Sequence, residues 1–149
     1  MRYREKFSVD FFDSALTSAS AMRRPNRSVR VYAAECETGA PLSASLKAGK
    51  PVTVDYRPSF VDGIASKTVF PGMLEMAKEL VDGTMVVTLE QAAAAIRFAA
   101  ERNRVISEGA AGCAIAGAMS GQAGQGKVAA IVSGGNIDMG KFCEIVSGR

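Results

Sequence analysis

The residues with the clearest potential for chemistry form a short turn near the C-terminus, Ser133-Gly134-Gly135-Asn136. This turn follows an apolar run at residues 128–132, which predicts a buried strand. The two glycines permit positive φ or close approach to a ligand, while Ser133 and Asn136 supply a hydroxyl and an amide. Ligands of open α/β sheets bind beyond the carboxyl ends of the strands. The pattern therefore predicts either a ligand-binding turn or a plain chain reversal.

Other arrangements of reactive residues are weaker. Histidine is absent from the chain, which excludes Ser/His and Cys/His nucleophile systems and most zinc sites. Residues 121–128 resemble a phosphate-binding loop, but Val128 replaces the Ser or Thr that should follow Lys127, and the segment lies between a predicted helix and a strand. We interpret it as a surface turn. Glu35 and Glu37 lie two residues apart at the end of a predicted strand, either on one face or as solvated loop acids.

Composition indicates one ordinary globular domain. The chain has 149 residues, of which 48% are hydrophobic and 22% charged. No apolar run approaches the roughly 18 residues of a membrane span, and no signal-peptide pattern is present, so we expect a soluble cytoplasmic protein with no membrane partner. The three cysteines, Cys36, Cys113 and Cys143, lack metal-binding or redox-motif spacing and are expected to be reduced, with Cys113 in the core.

Positive charge is concentrated at the N-terminus. Residues 1–30 contain seven Lys or Arg and three Asp or Glu. The basic stretch lacks interleaved aromatic residues, so we interpret it as a solvated helix end and expect no nucleic-acid partner. We divide the chain into a divergent basic arm and helix at residues 1–27 and an α/β region at residues 28–149.

Helical and strand patterns alternate along the chain. A capping box at Thr88-x-x-Gln91 begins one helix, and Pro71 suits the first turn of another. This alternation predicts an α/β fold with a parallel sheet and right-handed crossovers. The predicted helices lie at about residues 11–23, 41–47, 71–82, 88–100 and 110–119, and the predicted strands at 29–34, 84–87 and 128–132, with 51–56 extended.

Five short motifs follow one another along the chain: Val31-Tyr-Ala-Ala-Glu35, Ala48-Gly-Lys-Pro-Val52, Val61-Asp-Gly-Ile-Ala65, Ile106-Ser-Glu-Gly-Ala110 and Val132-Ser-Gly-Gly-Asn-Ile-Asp138. In order and spacing they resemble the threonine dehydratases. These enzymes, with the serine dehydratases and serine racemase, are fold-type II enzymes that use pyridoxal phosphate. The resemblance covers about four-fifths of the chain and implies a partial parallel-sheet, three-layer domain, equivalent to the C-terminal part of the family's large domain.

The resemblance also implies roles for particular residues. Ser133 matches the serine that hydrogen-bonds the pyridine nitrogen of the cofactor, and a neutral hydroxyl there favours β-elimination. Glu108 and Gly109 match an acidic-glycine pair beside the cofactor ring, although a helix N-terminus would also stabilise such a carboxylate. The remaining implied cofactor contacts, Gly134, Gly135 and Asn136 of the turn and Gly63, are expected to line the same pocket.

A divalent cation is not expected, although Glu35 matches a carboxylate that binds one in many relatives. The second acid of that site would fall near Pro41, which cannot coordinate a cation. Glu37 is the available substitute. Glu35 therefore remains a weak candidate metal ligand.

Two features of the family are absent from this sequence. The lysine that anchors the cofactor lies in a Ser-x-Lys-x-Arg-Gly context, which none of the lysines here occupies. The glycine run that binds the cofactor phosphate would fall near residues 8–11, where Asp10 would repel a phosphate. We therefore assign no catalytic residue and expect the chain to be inactive alone, with cofactor binding by the chain itself left open. Either a complementary N-terminal half completes the site, or the chain is a non-catalytic, self-associating α/β domain.

Overall fold

Four parallel strands form the centre of the fold. The computed structural model describes residues 6–9, 19–22 and 28–148. Within these residues the spatial order of the strands is β3-β2-β1-β4, and every neighbouring pair is parallel. The strands are β1 (Lys6–Val9), β2 (Arg30–Cys36), β3 (Gly83–Val87) and β4 (Val128–Ile131). In the register of the sheet, Lys6 pairs with both Arg30 and Val128, and Cys36 pairs with Val87.

Five helices follow from recognisable local signals. Pro71 occupies the first turn of one helix, and Gly49 ends another with φ of 70°, a conformation that suits glycine. At a third helix, Thr88 and Gln91 form both hydrogen bonds of a capping box. The helices are α1 (Pro41–Ala48), α2 (Pro71–Leu80), α3 (Leu89–Phe98), α4 (Gly109–Met119) and α5 (Met139–Ser147); α3 continues into a π-helical turn, Ala99–Asn103, and residues 19–22 are also helical.

The sheet separates two apolar clusters. Because side chains alternate along a strand, Val31 and Ala33 of β2 belong to one cluster, while Ala34 and Cys36 belong to the other. The first cluster includes residues of α1 and α2, and the second includes residues of α3 and α4. Helices therefore cover both faces of the parallel sheet, which is the three-layer α/β arrangement expected from the sequence.

Most of the predicted elements are confirmed, with small shifts at their ends. The helix predicted to reach about residue 82 ends at Leu80, and Gly83 begins β3 instead of only ending the helix. Residues 121–127 form a turn in which Gly121, Gly124 and Gly126 have positive φ, and Val128 already belongs to β4. Strand β1 was not predicted, and Asp10 and most of the helix predicted at residues 11–23 lie outside the described residues.

In the described part of the chain, no helix combines the length and apolar character that a membrane crossing requires.

Candidate functional site

The turn at residues 133–136 lies where β4 ends. Strands β2, β3 and β4 are parallel members of one sheet, so their carboxyl ends meet at the same edge. The backbone N–H of Glu37, just beyond β2, donates to the carbonyl of Val87 at the end of β3 at 2.8 Å, which shows that these ends are adjacent. Ser133 follows Val132 at this edge and is exposed.

Glu108 contacts this turn directly. Its carboxylate accepts a hydrogen bond from the Asn136 backbone N–H at 3.2 Å, and its own N–H donates to the Gly134 carbonyl at 3.2 Å. A Cβ atom at residue 134 would lie 2.3 Å from Glu108 Oε1, so any larger residue would displace the carboxylate from this position. Although Glu108 is the N-cap residue of α4, its side chain makes no capping hydrogen bond. The carboxylate is therefore held against the turn and does not cap its helix.

Glycines allow two further segments to approach Glu108. A Cβ at Gly109 would lie 2.4 Å from the Phe60 carbonyl oxygen, so the backbone at residue 60 packs directly on the start of α4. Gly63 lies three residues after Phe60, and a Cβ there would lie 3.2 Å from Glu108 Oε1. In the turn itself, a Cβ at Gly135 would lie 2.8 Å from the Ile106 carbonyl oxygen, so the turn packs on the backbone just before Glu108. Three separate stretches of chain thus meet at one carboxylate.

The structure therefore brings together the residues that the sequence analysis placed in one pocket. Glu108 contacts the turn at Gly134 and Asn136 and lies beside Gly63. Ser133 is adjacent in sequence, on an exposed part of the same turn. The roles of these residues toward a ligand remain predictions.

Ser107 is a residue of this region that the sequence analysis missed. Its side chain is fully buried, and its Oγ has no hydrogen-bond partner among the residues that the structure describes. Buried hydroxyl groups are ordinarily paired, so an unpaired one beside Glu108 marks a polar position that a ligand or water can satisfy. A serine next to an acidic residue carries no distinctive sequence signal, which is why it was overlooked.

Glu35 and Glu37 interact with the N-termini of two different helices. The Glu35 carboxylate accepts hydrogen bonds from the N–H groups of Leu42 and Ser43 at 2.8 and 2.7 Å and from Ser43 Oγ. Glu37 accepts from the Leu89 N–H of α3 at 3.1 Å. Neither is simply a solvated loop acid. Burial raises the pKa of the Glu35 carboxyl above its usual value, while these hydrogen bonds act in the opposite direction.

Among the described residues, Glu35 belongs to no group of side chains placed to hold a metal ion. Across residues 6–9, 19–22 and 28–148, no group of three or more His, Cys, Asp or Glu side chains is placed to hold a metal ion. Both oxygens of the Glu35 carboxylate already accept hydrogen bonds from the first turn of α1. This structural role accounts for the buried carboxylate.

Comparison with known proteins finds similar sequences over most of the chain. A family model described as a pyridoxal-phosphate dependent enzyme matches residues 14–134. An L-threonine ammonia-lyase from Thermotoga maritima is 34% identical over 128 residues, which are 85% of this chain and 32% of that protein. The chain thus spans about a third of this relative.

Solved structures of fold-type II enzymes have the same fold. Threonine deaminase isoform 2 from Solanum lycopersicum superposes with a TM-score of 0.85 at 24% identity, over 97% of this chain and 44% of that one. Maize serine racemase gives a TM-score of 0.83 at 23% identity, over 99% of this chain and 48% of that one. The chain therefore corresponds to slightly less than half of each neighbour.

Proposed function

Because the chain belongs to the pyridoxal-phosphate dependent enzyme family, we propose that it forms the C-terminal part of an ammonia-lyase catalytic unit acting on threonine or serine. The observation that carries this proposal is the contact of Glu108 with the turn at residues 133–136. This contact gathers residues from three parts of the chain at the edge of a parallel sheet, where ligands of such sheets bind. The substrate class comes from the relatives, which act on threonine by name.

The donor set at this edge fits the ring end of pyridoxal phosphate. Ser133 offers an exposed, neutral hydroxyl for the pyridine nitrogen, and Gly135 and Asn136 of the same turn are also exposed. When bound, the cofactor withdraws electrons from the substrate α-carbon and so assists loss of a β-hydroxyl group. In this arrangement, Ser133 orients the ring without adding charge, and Glu108 fixes the turn on which Ser133 lies.

A second segment is required to complete this site. The sequence lacks the lysine context and the phosphate-binding glycine run of the family. Of the region in which the glycine run would fall, residues 8–11, only residues 8 and 9 are described. We therefore propose that a complementary N-terminal half supplies both features, and that this chain alone does not catalyse elimination.

This proposal is tested by incubating the full chain with pyridoxal phosphate and threonine and following 2-oxobutyrate. We expect no turnover above that of free cofactor, and the same result with serine when pyruvate is followed. Turnover above the free-cofactor rate that disappears in Ser133→Ala would show that this chain holds a complete site and would overturn the proposal.

Exposed apolar side chains around the site favour a second candidate function, that of a non-catalytic, self-associating α/β domain. Ile106, Val132 and Met139 flank the site and are 51, 41 and 56% exposed. Apolar groups gathered around one region indicate a surface that is covered in an assembly. Light scattering at micromolar concentration should give the mass of a dimer or larger species. A monomer mass would rule out self-association and leave the complementary segment as the partner.

A further inference from the structure

Strand β4 lies at one edge of the sheet and has the composition of a strand that can pair again. Among the described residues it pairs only with β1, so one side of the strand has no neighbour there. Its four residues, VAAI, include neither proline nor a charged side chain, two of the devices that block an edge against further pairing. Ala129 is exposed, although strands of parallel sheets are ordinarily buried on both faces. This edge is therefore open to a further strand.

Exposed apolar side chains continue this edge at its carboxyl end. Val132 directly follows β4 and is exposed. Ile106 lies beside the turn, because a Cβ at Gly135 would be 2.8 Å from its carbonyl oxygen. Met139 begins α5, the helix after the turn. A strand added to β4 would lie next to Val132 and would remove apolar surface from water.

The charges at the two ends of β4 are opposite. Lys127 immediately precedes the strand and is exposed. At the other end, Glu108 lies against Gly134, and Asp138, the N-cap residue of α5, is exposed. Two antiparallel copies of β4 would place the basic end of each beside the acidic end of the other, whereas parallel copies would bring like charges together. Charge complementarity therefore favours a second copy of this chain as the occupant of the edge.

We propose that β4 pairs with β4 of a second copy in antiparallel orientation, about a two-fold axis, so that the two sheets become continuous. This inference rests on the self-association given above as the second candidate function, and it names the surface responsible. With Ala129 opposite Ala130 at the centre, Lys127 of each copy lies opposite Val132 of the other, toward the end of the strand where Glu108 contacts the turn. Backbone groups along the two edges then hydrogen-bond each other.

A charge at the centre of β4 tests this pairing. The unmodified chain should be a dimer in light scattering at micromolar concentration. Ala129→Lys should give a monomer, because a lysine on an edge strand opposes pairing with another strand. Val86→Lys is the matched control, since Val86 is 43% exposed on β3 at the opposite edge of the sheet, and this variant should remain a dimer. Circular dichroism verifies that both variants are folded.

Reversal of a charge tests the orientation of the two strands. Lys127→Glu should raise the dimer dissociation constant several-fold at low salt, and the difference should shrink at high salt. Lys47→Glu makes the same change in α1, where Ser43 Oγ donates a hydrogen bond to Thr84 Oγ1 of β3, on the other side of the sheet from β4. This control should leave the dissociation constant unchanged.

A distance measurement tests the pairing without altering β4. A spin label is attached to Val86→Cys in a Cys143→Ser background, where the remaining cysteines, Cys36 and Cys113, are buried. In the proposed dimer, seven inter-strand spacings and an offset along the strands separate the two labels by roughly 40 Å. This distance decides the question if Ala129→Lys does not fold.

The outcomes distinguish this pairing from the proposals on which it depends. A monomeric unmodified chain would overturn the pairing and self-association together, and would leave the β4 edge to the complementary segment. A dimer that persists in Ala129→Lys, or whose labels give a different distance, would retain self-association and overturn only the β4 contact. The ammonia-lyase proposal is tested separately by the formation of 2-oxobutyrate.

Discussion

At the scale of single residues, the two glutamates near the end of β2 show which contacts the local sequence can predict and which it cannot. Their spacing indicates that the two carboxylates could share one face. In the structure, however, the N–H groups that donate to Glu35 lie seven and eight residues later in the chain, and Leu89, which donates to Glu37, lies 52 residues later. The sequence could not predict these partners because they depend on where α1 and α3 begin in space. The sequence analysis placed Glu108 and the turn in one pocket only through resemblance to a family, and it did not predict their contact, since 28 residues separate Glu108 from Asn136.

The titration of Cys36 provides a prediction at this scale. The pKa of its thiol is lowered from 9.0 to about 6 in the folded chain. Ionisation of the Cys36 thiol therefore stabilises the fold. This contribution is fully present above the unfolded pKa of 9.0 and is lost as the pH falls through the folded pKa of about 6. In the Cys143→Ser variant, thiolate absorbance near 240 nm should include a transition with its midpoint near pH 6.

Thr38→Val supplies the control for this titration. It removes the hydroxyl donor to Cys36 while keeping the size of the side chain, so the midpoint should move to higher pH. A midpoint near 9 in both proteins would contradict the hydrogen-bonded arrangement of Cys36.

Gly109 gives a second prediction at the residue scale. A Cβ there would lie 2.4 Å from a backbone oxygen and 2.7 Å from the Val61 Cα, neither of which belongs to a flexible side chain. Gly109→Ala should therefore lower the free energy of unfolding by about 1 to 3 kcal/mol, measured by urea denaturation. Gly72, in α2, has open space around its Cβ position, so Gly72→Ala should be neutral or stabilising by up to about 1 kcal/mol. Equal effects of the two substitutions would contradict the close packing at Gly109.

At the scale of elements, the ends of helices and strands were predictable where the signal is local. Pro41, Pro71 and the capping box of α3 identify helix starts within a few residues of chain. Strand β1 was missed because its sequence, KFSV, lacks the apolar run that identifies β4, and its pairing partners begin at Arg30 and Val128. Its place between β2 and β4 depends on contacts that are distant in sequence.

The capping box of α3 leads to a prediction for this element. Thr88 Oγ1 accepts from the Gln91 N–H at 3.1 Å, and Gln91 Oε1 accepts from the Thr88 N–H at 2.9 Å. Thr88→Ala removes the acceptor of the Gln91 N–H but keeps the backbone N–H at residue 88, and it should destabilise the chain by about 1 kcal/mol. For a domain of this size, that loss lowers the melting temperature by roughly 2 to 4 °C.

The N-terminus of α2 allows a control substitution that adds a capping residue instead of removing one. Its N-cap residue, Phe70, makes no capping hydrogen bond and is 71% exposed. Phe70→Ser introduces a preferred N-cap residue and should raise the melting temperature. If calorimetry gives the Thr88→Ala variant a melting temperature equal to or higher than that of the unmodified chain, the capping box does not stabilise α3 as described.

At the scale of the whole molecule, the fold accounts for the grouping of the candidate site residues. The parallel sheet and its flanking helices gather the turn at residues 133–136, Glu108 and Gly63 at one edge. The chain corresponds to 44% and 48% of two structural neighbours with the same fold. In our account, the anchoring lysine and the phosphate loop come from a second segment, and this chain supplies the wall beside the ring.

Titration of the full chain with pyridoxal phosphate, followed by borohydride reduction and peptide mapping, tests this account most directly. The reduction fixes the cofactor to any lysine that has bound it covalently. We predict that the absorbance spectrum of the cofactor stays that of the free compound and that none of the seven lysines of the chain carries a stoichiometric label. A shifted absorbance band together with one fully labelled lysine would contradict the account, because the chain would then hold its own anchor.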